Sequence, residues 1–450
     1  MFLANFSEAQ HYLSTHIPKN PKNIFSGGLG LARIKYLLRL LDNPQDKLKV
    51  IHIAGTSGKS STSYLLGLLL SSAAKRTGLF ISPHIINVSE RIRINNINIA
   101  ENQFVESLNE IIPFIEQVEK SEFGTPTYFE ILTALAFYFF RKEKVDYAIM
   151  ETGIGGLQDG TNVVNNINKI CVITKLGMDH TEILGKTFAE IAKQKAGIIT
   201  KNAIVITPEQ EPMAYSIIKN SAKNNRAKLF ILEPGVNYKD IKENHGKTIF
   251  TFDFLKTHLP LVSLGLLGKY QAENCSLALS ALILLSKRDC FTIDEMKIRE
   301  QLSSANFLGR LSRYKMNGKM IIVDGAHNEQ KMESFTHTVS QLYPGEKFNF
   351  LLAFKSGKDF VPILKHIIPL SSQIIITSFV IREQDWLCES ISPEKIAKTL
   401  ERLGFFNFRI IVNPKEALEE LLKSKAKTDI IITGSFYLIS AVYEKISKIK

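Results

Sequence analysis

The 450-residue chain has little of what staples or anchors a protein. Its four cysteines, Cys171, Cys275, Cys290 and Cys388, form no C-x-x-C pair and no metal-ligand spacing. That excludes a disulfide framework and a zinc ribbon, and it points to a reducing, cytoplasmic compartment. The longest apolar stretches, such as Ile131 to Phe140 broken by Thr133, are too short to span a bilayer. The opening MFLANFSEAQHYL lacks a basic lead and a long apolar segment, so it does not read as an export signal. There is no internal repeat and no low-complexity tract. With 45% hydrophobic and 22% charged residues, bulk disorder is excluded. Acidic residues are outnumbered, 44 against 56 basic ones, and the net charge of +12 suits anionic partners without choosing among them. The Lys-rich stretches at 219–228, 423–427 and the C-terminal tail are short and scattered, which reads as solvated surface rather than a nucleic-acid groove. Neither nucleic acid nor membrane is expected as a partner.

What is present is an alternation of buried strands and helices. At about 150 residues per domain the length allows two or three domains, each able to bury a core. Short β-branched runs at Val50–Ala54, Val145–Met150, Ile170–Thr174 and Ala203–Thr207 each end in a polar or Gly-containing loop. Helical patterns at Tyr64–Leu70, Gln103–Glu119, Phe129–Arg141 and Phe188–Ala196 separate them. A second set follows Asn306: strands at Met320–Val323, Phe348–Ala353, Gln373–Thr377, Phe408–Val412 and Asp429–Thr433, with helices at Pro393–Leu403 and Lys415–Lys423. The pattern predicts an α/β fold with mostly parallel sheets and two domains, residues 1–299 and 300–450.

The chemistry-bearing residues sit at strand ends. Gly55-Thr56-Ser57-Gly58-Lys59-Ser60-Ser61 lies between a buried strand and a helix. Glycines there let backbone N–H groups surround phosphate oxygens, the helix N-terminus favours the anion, and a lysine and hydroxyls meet phosphate and Mg²⁺. The usual P-loop expression wants glycine at position 53, where this chain has Ile53, so the loop is a shortened variant. Glu151 ends the next apolar strand, and a carboxylate so placed holds the metal in P-loop enzymes. A lone acid after a strand is usually only solvated, but Gly153, Gly155, Gly156 and the cluster Asp159-Gly160-Thr161-Asn162 are more than a simple turn needs. Asp179-His180 follows a third strand, and Gln194-Lys195-Ala196-Gly197 comes one helix later; His180 or Lys195 alone would read as an ordinary surface or core residue. Asp324-Gly325-Ala326-His327-Asn328 ends the first buried strand of the second set, at the carboxyl edge where open α/β sheets bind ligands. Gly309-Arg310 falls between the sets, where a guanidinium can reach a phosphate across a cleft, although a linker arginine taken alone reads as solvated.

Taken in order, these stretches resemble the Mur ligase superfamily, and within it the folylpolyglutamate synthase/dihydrofolate synthase branch, over roughly residues 24–440. Gly30-Leu-Ala-Arg33, Ser82-Pro-His84, Thr127-Tyr-Phe-Glu130, Leu184-Gly185, Gln271 with Asn274, and Gly434-Ser435 complete the match. The resemblance implies a P-loop ATPase domain followed by a smaller, Rossmann-like α/β domain. It implies that Gly55, Thr56, Gly58, Lys59, Ser60 and Ser61 hold ATP phosphates, with Asn274 at the adenine and Arg310, Asp324 and His327 on the nucleotide. Two Mg²⁺ sites are implied, one at Ser61, Ser82 and Glu151 and one at His180 with Lys195 carried as a carbamate; a monovalent cation belongs to the same picture. Catalysis would rest on Lys59, His180, Lys195 and Arg310. Thr127, Tyr128, Phe129, Glu130, Gln158, Asp159 and Gly160 would form the pterin site, beside a loop at Gly27, Gly28 and Leu29.

The implied reaction is ADP-forming. A carboxylate of dihydropteroate or a reduced folate attacks the γ-phosphate of ATP, and L-glutamate's amine then attacks the acyl phosphate; a monomer is implied. Four departures stand out. Ser57 replaces the branch's usual asparagine, Ser60 its third loop glycine, Leu157-Gln158 its Arg-Leu, and Tyr270 the common histidine before Gln271. The Gly-Lys-Ser-Ser form also resembles the ligases that build peptidoglycan precursors, which is the rival within the enzyme class. A nucleotide-gated ATPase acting on nucleic acid is the rival outside it.

Overall fold

The computed structural model describes residues 2–18, 28–166, 169–244, 246–381, 384–385, 387–424 and 427–447. Eight strands form the first sheet: β1 (Val50–Ala54), β2 (Thr77–Phe80), β3 (Ile92–Ile94), β4 (Ile97–Asn98), β5 (Tyr147–Glu151), β6 (Ile170–Ile173), β7 (Ile204–Pro208) and β8 (Lys228–Leu232). Their order is β4-β3-β2-β5-β1-β6-β7-β8, parallel from β2 to β8, with β3 and β4 antiparallel at one edge. β1 is flanked by β5 and β6, and its five residues are all buried, which is why it reads as an unbroken apolar run apart from His52. The chain leaves β1 toward β2 on one side and later fills the other side with β6. This reversal opens a crevice at the carboxyl end of β1, where ligands of open α/β sheets sit.

Helices cover both faces. On one, Leu65, Leu66, Leu69 and Leu70 of helix Lys59–Ser72 pack with helix Lys269–Asp289. On the other, helices Phe6–Thr15, Gly28–Leu40, Glu101–Glu119 and Tyr128–Lys142 enclose a second apolar cluster. Each fully buried leucine contributes about 1.5–3 kcal/mol. Residues 238–264, for which the sequence yielded no element, form an antiparallel sheet of β9 (Tyr238–Asn244), β10 (Lys247–Phe254) and β11 (Thr257–Leu264). It was hard to read because only one face is buried: Phe250, Phe252 and Phe254 join the first core, while β9 shows lysines and acids to solvent.

The last sheet contains β12 (Ser312–Met316), β13 (Lys319–Val323), β14 (Phe348–Leu352) and β15 (Ser371–Ile376). After a ribbon of β16 (Val380–Ile381) and β17 (Cys388–Glu389) come β18 (Phe408–Ile410) and β19 (Ile430–Thr433). The order β12-β13-β19-β14-β15-β18 is parallel except for the edge strand β12. The five strands expected here are all present, within two residues at each end. Among the described residues, no helix is long and apolar enough to cross a membrane.

Candidate active site

The loop after β1 is built for close approach. Gly55 has φ +154° and Gly58 +90°; a Cβ at Gly55 would lie 1.8 Å from Thr174 Oγ1, and one at Gly58 2.1 Å from Asn274 Oδ1. The N–H groups of Thr56 and Ser57 both donate to Lys175 O (3.1 Å), and Thr56 Oγ1 donates to Gly177 O (3.0 Å), which ties the loop to the chain after β6. Helix Lys59–Ser72 makes its first i→i−4 bond from Thr62 N to Gly58 O, so the N–H groups of Lys59, Ser60 and Ser61 head the helix with no such partner. That helix end suits an anion.

Glu151, at the end of β5, is 1% exposed and accepts hydrogen bonds from Ser60 Oγ (2.9 Å) and Ser82 N (3.4 Å), with Lys59 Nζ 4.0 Å away. Burial raises its pKa and Lys59 opposes the rise. The hydroxyl that meets this carboxylate belongs to Ser60, not Ser61. Neighbours on a helix point about 100° apart, and Ser61 is buried and does not line the cleft that Ser60 lines.

Opposite stand Asp179, His180 and Lys195. Lys195 is 3% exposed and donates to Gly55 O (2.8 Å); burial first, and Lys59 second, bring its pKa down to about 7. His180 is held neutral by burial, and its buried Nδ1 has no hydrogen-bond partner among the described residues. Asp179 is where the two halves of the chain meet. Asn328 Nδ2 donates to its Oδ2 (3.0 Å), Lys358 donates to its Oδ1, and Lys331 Nζ lies 3.8 Å away. Burial alone would raise its pKa, but the surrounding cations hold it ionised. Ser57 Oγ also donates to Gln330 Oε1 (2.8 Å), so the helix that starts at Glu329 rests on the P-loop. His327 Nδ1 donates to Gly325 O (2.8 Å), which leaves Nε2 to accept from Lys331 Nζ (3.0 Å). Arg310 lies over the ring of Phe436, 4.7 Å from its centroid, and faces the same cleft.

The cleft continues from Lys59, Ser60 and Glu151 past Gly153 and Ile154 to Thr127, Phe129, Glu130, Gln158, Asp159 and Gly160. A Cβ at Gly153 would come within 2.6 Å of the Phe129 ring, so the glycine lets the end of that ring approach the loop closely. Glu130 is bound by Arg33 (Nε 2.7 Å, Nη2 2.9 Å) and also caps its own helix through Thr127 N (2.9 Å), so it shapes the wall with no charge to spare.

Several expected residues stand apart from the cavity. Tyr128 is buried behind it with the Arg91 guanidinium 5.3 Å from its ring centroid, and Gly28 and Leu29 open helix Gly28–Leu40, whose Gly30 lines the cleft instead. Gly27 lies outside the described residues. Asn274 packs behind Gly58 and donates to Gln271 Oε1 (3.0 Å). Asp324 accepts from Leu311 N (2.9 Å) and Ala326 N (2.8 Å), with its pKa pushed up to about 6 by burial; it fixes the turn that presents His327. The sequence reading did not foresee Lys331, Lys355, Lys358, Asp385 and Tyr437 on the cleft wall. Only Lys331 left a trace, four residues after His327 and thus on one helix face with it.

Among the described residues no group of three His, Cys, Asp or Glu side chains can hold a metal by itself. The fit to Mg²⁺ is of another kind. A buried carboxylate with a hydroxyl on it, and a neutral imidazole with a free nitrogen, leave most positions to phosphate and water, as that ion prefers.

A phosphate-binding loop at the switch point of one parallel sheet, faced across a cleft by cations from a second, defines a nucleotide-dependent ligase of two α/β units. Two family models match in that order: Mur ligase middle domain at residues 53–282 and the C-terminal domain of dihydrofolate synthetase at residues 309–445. The chain is 31% identical to the dihydrofolate synthase/folylpolyglutamate synthase of Bacillus subtilis, over 93% of this chain and 95% of that one. It is 32% identical to the dihydrofolate synthetase of Saccharomyces cerevisiae, over 91% and 96%. The structure superposes on Mycobacterium tuberculosis folylpolyglutamate synthase complexed with ADP at a TM-score of 0.86 and 27% identity, covering 98% of each chain. The chain belongs to the dihydrofolate synthase/folylpolyglutamate synthase family of Mur ligases, and it is an ATP-dependent, ADP-forming acid–amino-acid ligase. The match at residues 309–445 decides against a cell-wall ligase.

Proposed function

We propose that the chain joins L-glutamate to a pteroyl carboxylate, with both dihydropteroate and a reduced folate as acceptors. The observation that carries this reading is one continuous cleft with Phe129 and Asp159 at one end and Lys59 and Arg310 at the other. It suits a flat acceptor ring with an N–H edge, whose carboxylate reaches the γ-phosphate. A structure superposing at a TM-score of 0.82 and 27% identity is an FPGS–AMPPCP–folate complex, which covers 98% of this chain and 99% of that one.

In this reading ATP phosphates lie on Gly58, Lys59 and Ser60, and Arg310 meets the transferring group from the other half. The acceptor carboxylate attacks the γ-phosphorus, ADP leaves, and the glutamate amine displaces phosphate from the acyl carbon. Fixed cations stabilise the charge that builds up on the phosphoryl oxygens. Apposed halves keep water from the acyl phosphate. Mg²⁺ would be held by Ser60, Ser82 and Glu151, and a second ion by His180 with Lys195 as its carbamate; bound there it neutralises phosphate charge. With a pKa of about 7, part of Lys195 is a neutral amine at neutral pH, the form that adds CO₂. A monovalent cation, a monomeric state, a cytoplasmic location and domains at 1–299 and 300–450 belong to the same proposal; no nucleic acid enters it.

The test is ADP release with each acceptor, with and without L-glutamate. Both acceptors should support glutamate-dependent turnover. Turnover with reduced folate alone would remove the dual claim, and polynucleotide-stimulated turnover without glutamate would remove the reading altogether.

A further inference from the structure

His52 interrupts the apolar run of β1, three residues before Gly55, and is fully buried. Lys169, just before β6, is 2% exposed. Neither lines the cleft. Burying an imidazole and an ammonium inside a sheet costs free energy that valine or isoleucine would not, so their partners are informative.

Those partners form a run with one direction. Thr161 Oγ1 lies 2.5 Å from Asp159 Oδ1 and gives it its only proton. The contact of Thr161 Oγ1 with His52 Nε2 (2.8 Å) is then one in which Nε2 carries the hydrogen and the hydroxyl accepts. Burial holds His52 neutral, so Nδ1 is bare and faces Lys169 Nζ at 3.5 Å, while Lys169 also donates to Val164 O (3.1 Å). Donors therefore point one way, from Lys169 through His52 and Thr161 to Asp159. Asp159 Oδ1 also accepts from Thr161 N (2.9 Å), and Oδ2 from Ile154 N (2.9 Å). Oδ1 is filled by these bonds, and Oδ2 keeps a lone pair for a ligand in the cleft.

We propose that His52 and Lys169 are positioning residues for acceptor recognition: through Thr161 they lock Asp159 as an aimed acceptor for an N–H edge of the acceptor ring. The proposal rests on the reading of Asp159 as an acceptor-binding group. A packing role would weaken acceptor and nucleotide alike, because β1 also carries the P-loop. A positioning role affects the acceptor alone.

The experiment compares Michaelis constants for dihydropteroate and ATP in His52→Leu, His52→Gln, Lys169→Met, Thr161→Val and Asp159→Asn. Losing the His52 donor frees the Thr161 hydroxyl from its aim at the Asp159 carboxylate, which predicts a rise of about tenfold in the acceptor constant for His52→Leu, with the ATP constant within about twofold. His52→Gln, which retains an N–H donor, should recover most of the loss, and Lys169→Met should cost about threefold. His52→Leu should add little on top of Thr161→Val. Acceptor and ATP constants that rise together, or a glutamine variant no better than leucine, would overturn the proposal. If His52→Leu does not fold, Lys169→Met decides: an unchanged acceptor constant overturns it. An unchanged acceptor constant in Asp159→Asn removes the acceptor-site reading, and the proposal with it.

Discussion

The two parallel sheets face each other with unlike charge. Around the cleft the first supplies acids, Glu130, Glu151, Asp159 and Asp179, together with Lys59 and Lys195; the second supplies Arg310, His327, Lys331, Lys355 and Lys358 against the single acid Asp385. The first offers N–H groups from an open loop. The second folds its strand-end acid inward, spending Asp324 on the backbone of its own turn. In the proposed reading the first half cradles the nucleotide, and the second, held at Asp179 through Asn328 and Lys358, acts on the transferring group. Substitutions in the first half should abolish binding and chemistry together, and those in the second should act on turnover.

The largest effect is expected from Lys59→Ala. It should cut ADP release by about 10³-fold or more in a protein with unchanged melting temperature; wild-type turnover would remove the P-loop assignment. Next comes Lys195→Ala, with a loss of about 100-fold that acetate partly restores. The wild-type rate should fall with acidification below about pH 7, because the ammonium formed below its pKa cannot add CO₂. An acid limb that survives in Lys195→Ala would assign it to another group. On the other side, Arg310→Ala should lower kcat by about 10–100-fold and leave ATP affinity nearly unchanged. Weaker ATP binding with full turnover at saturation would erase the contrast between the halves.

How legible this contrast was in the sequence follows from local context. Lys59, Glu151 and Asp159 each follow a buried strand, so a short motif marked them. Lys355 and Lys358 are isolated lysines in a loop, and such residues are nearly always solvated; only the tertiary fold brings both to the cleft and Lys358 onto Asp179. Ser60 and Ser61 differ by one step of a helix, and the backbone decides which faces Glu151. Most buried strands were readable because both faces are covered, whereas β9 to β11 bury one face and β2 to β4 are short.

Smaller effects sharpen the comparison. Arg91 is fully buried and bonds Asp385 Oδ1 (2.6 Å) and Gln384 Oε1 (2.6 Å) across the interface, with His84 Nδ1 as its third partner (3.0 Å). Arg91→Ala strands Asp385 and should cost about 3 kcal/mol in denaturant unfolding; a loss below about 0.5 kcal/mol would show that this contact does not hold the halves. A last effect, spread over the pH scale, is acid sensitivity. Burial lowers the pKa values of His52 and His84, so between pH 6.5 and 5 the unfolded chain binds protons that the folded one does not. Stability should therefore fall with pH, by up to about 1.4 kcal/mol per unit for each histidine. Flat stability across that window would mean that both titrate in the fold as they do in the unfolded chain.

The central claim is that the cleft passes a phosphoryl group from ATP to the acceptor's own carboxylate. Dihydropteroate labelled with ¹⁸O in both carboxylate positions tests it directly, with mass analysis of the phosphate released during glutamate-dependent turnover. One ¹⁸O atom per phosphate is the predicted result, because the carboxylate oxygen that attacks phosphorus leaves with it. Phosphate carrying no label, with the label wholly retained in product and unused acceptor, would contradict the account.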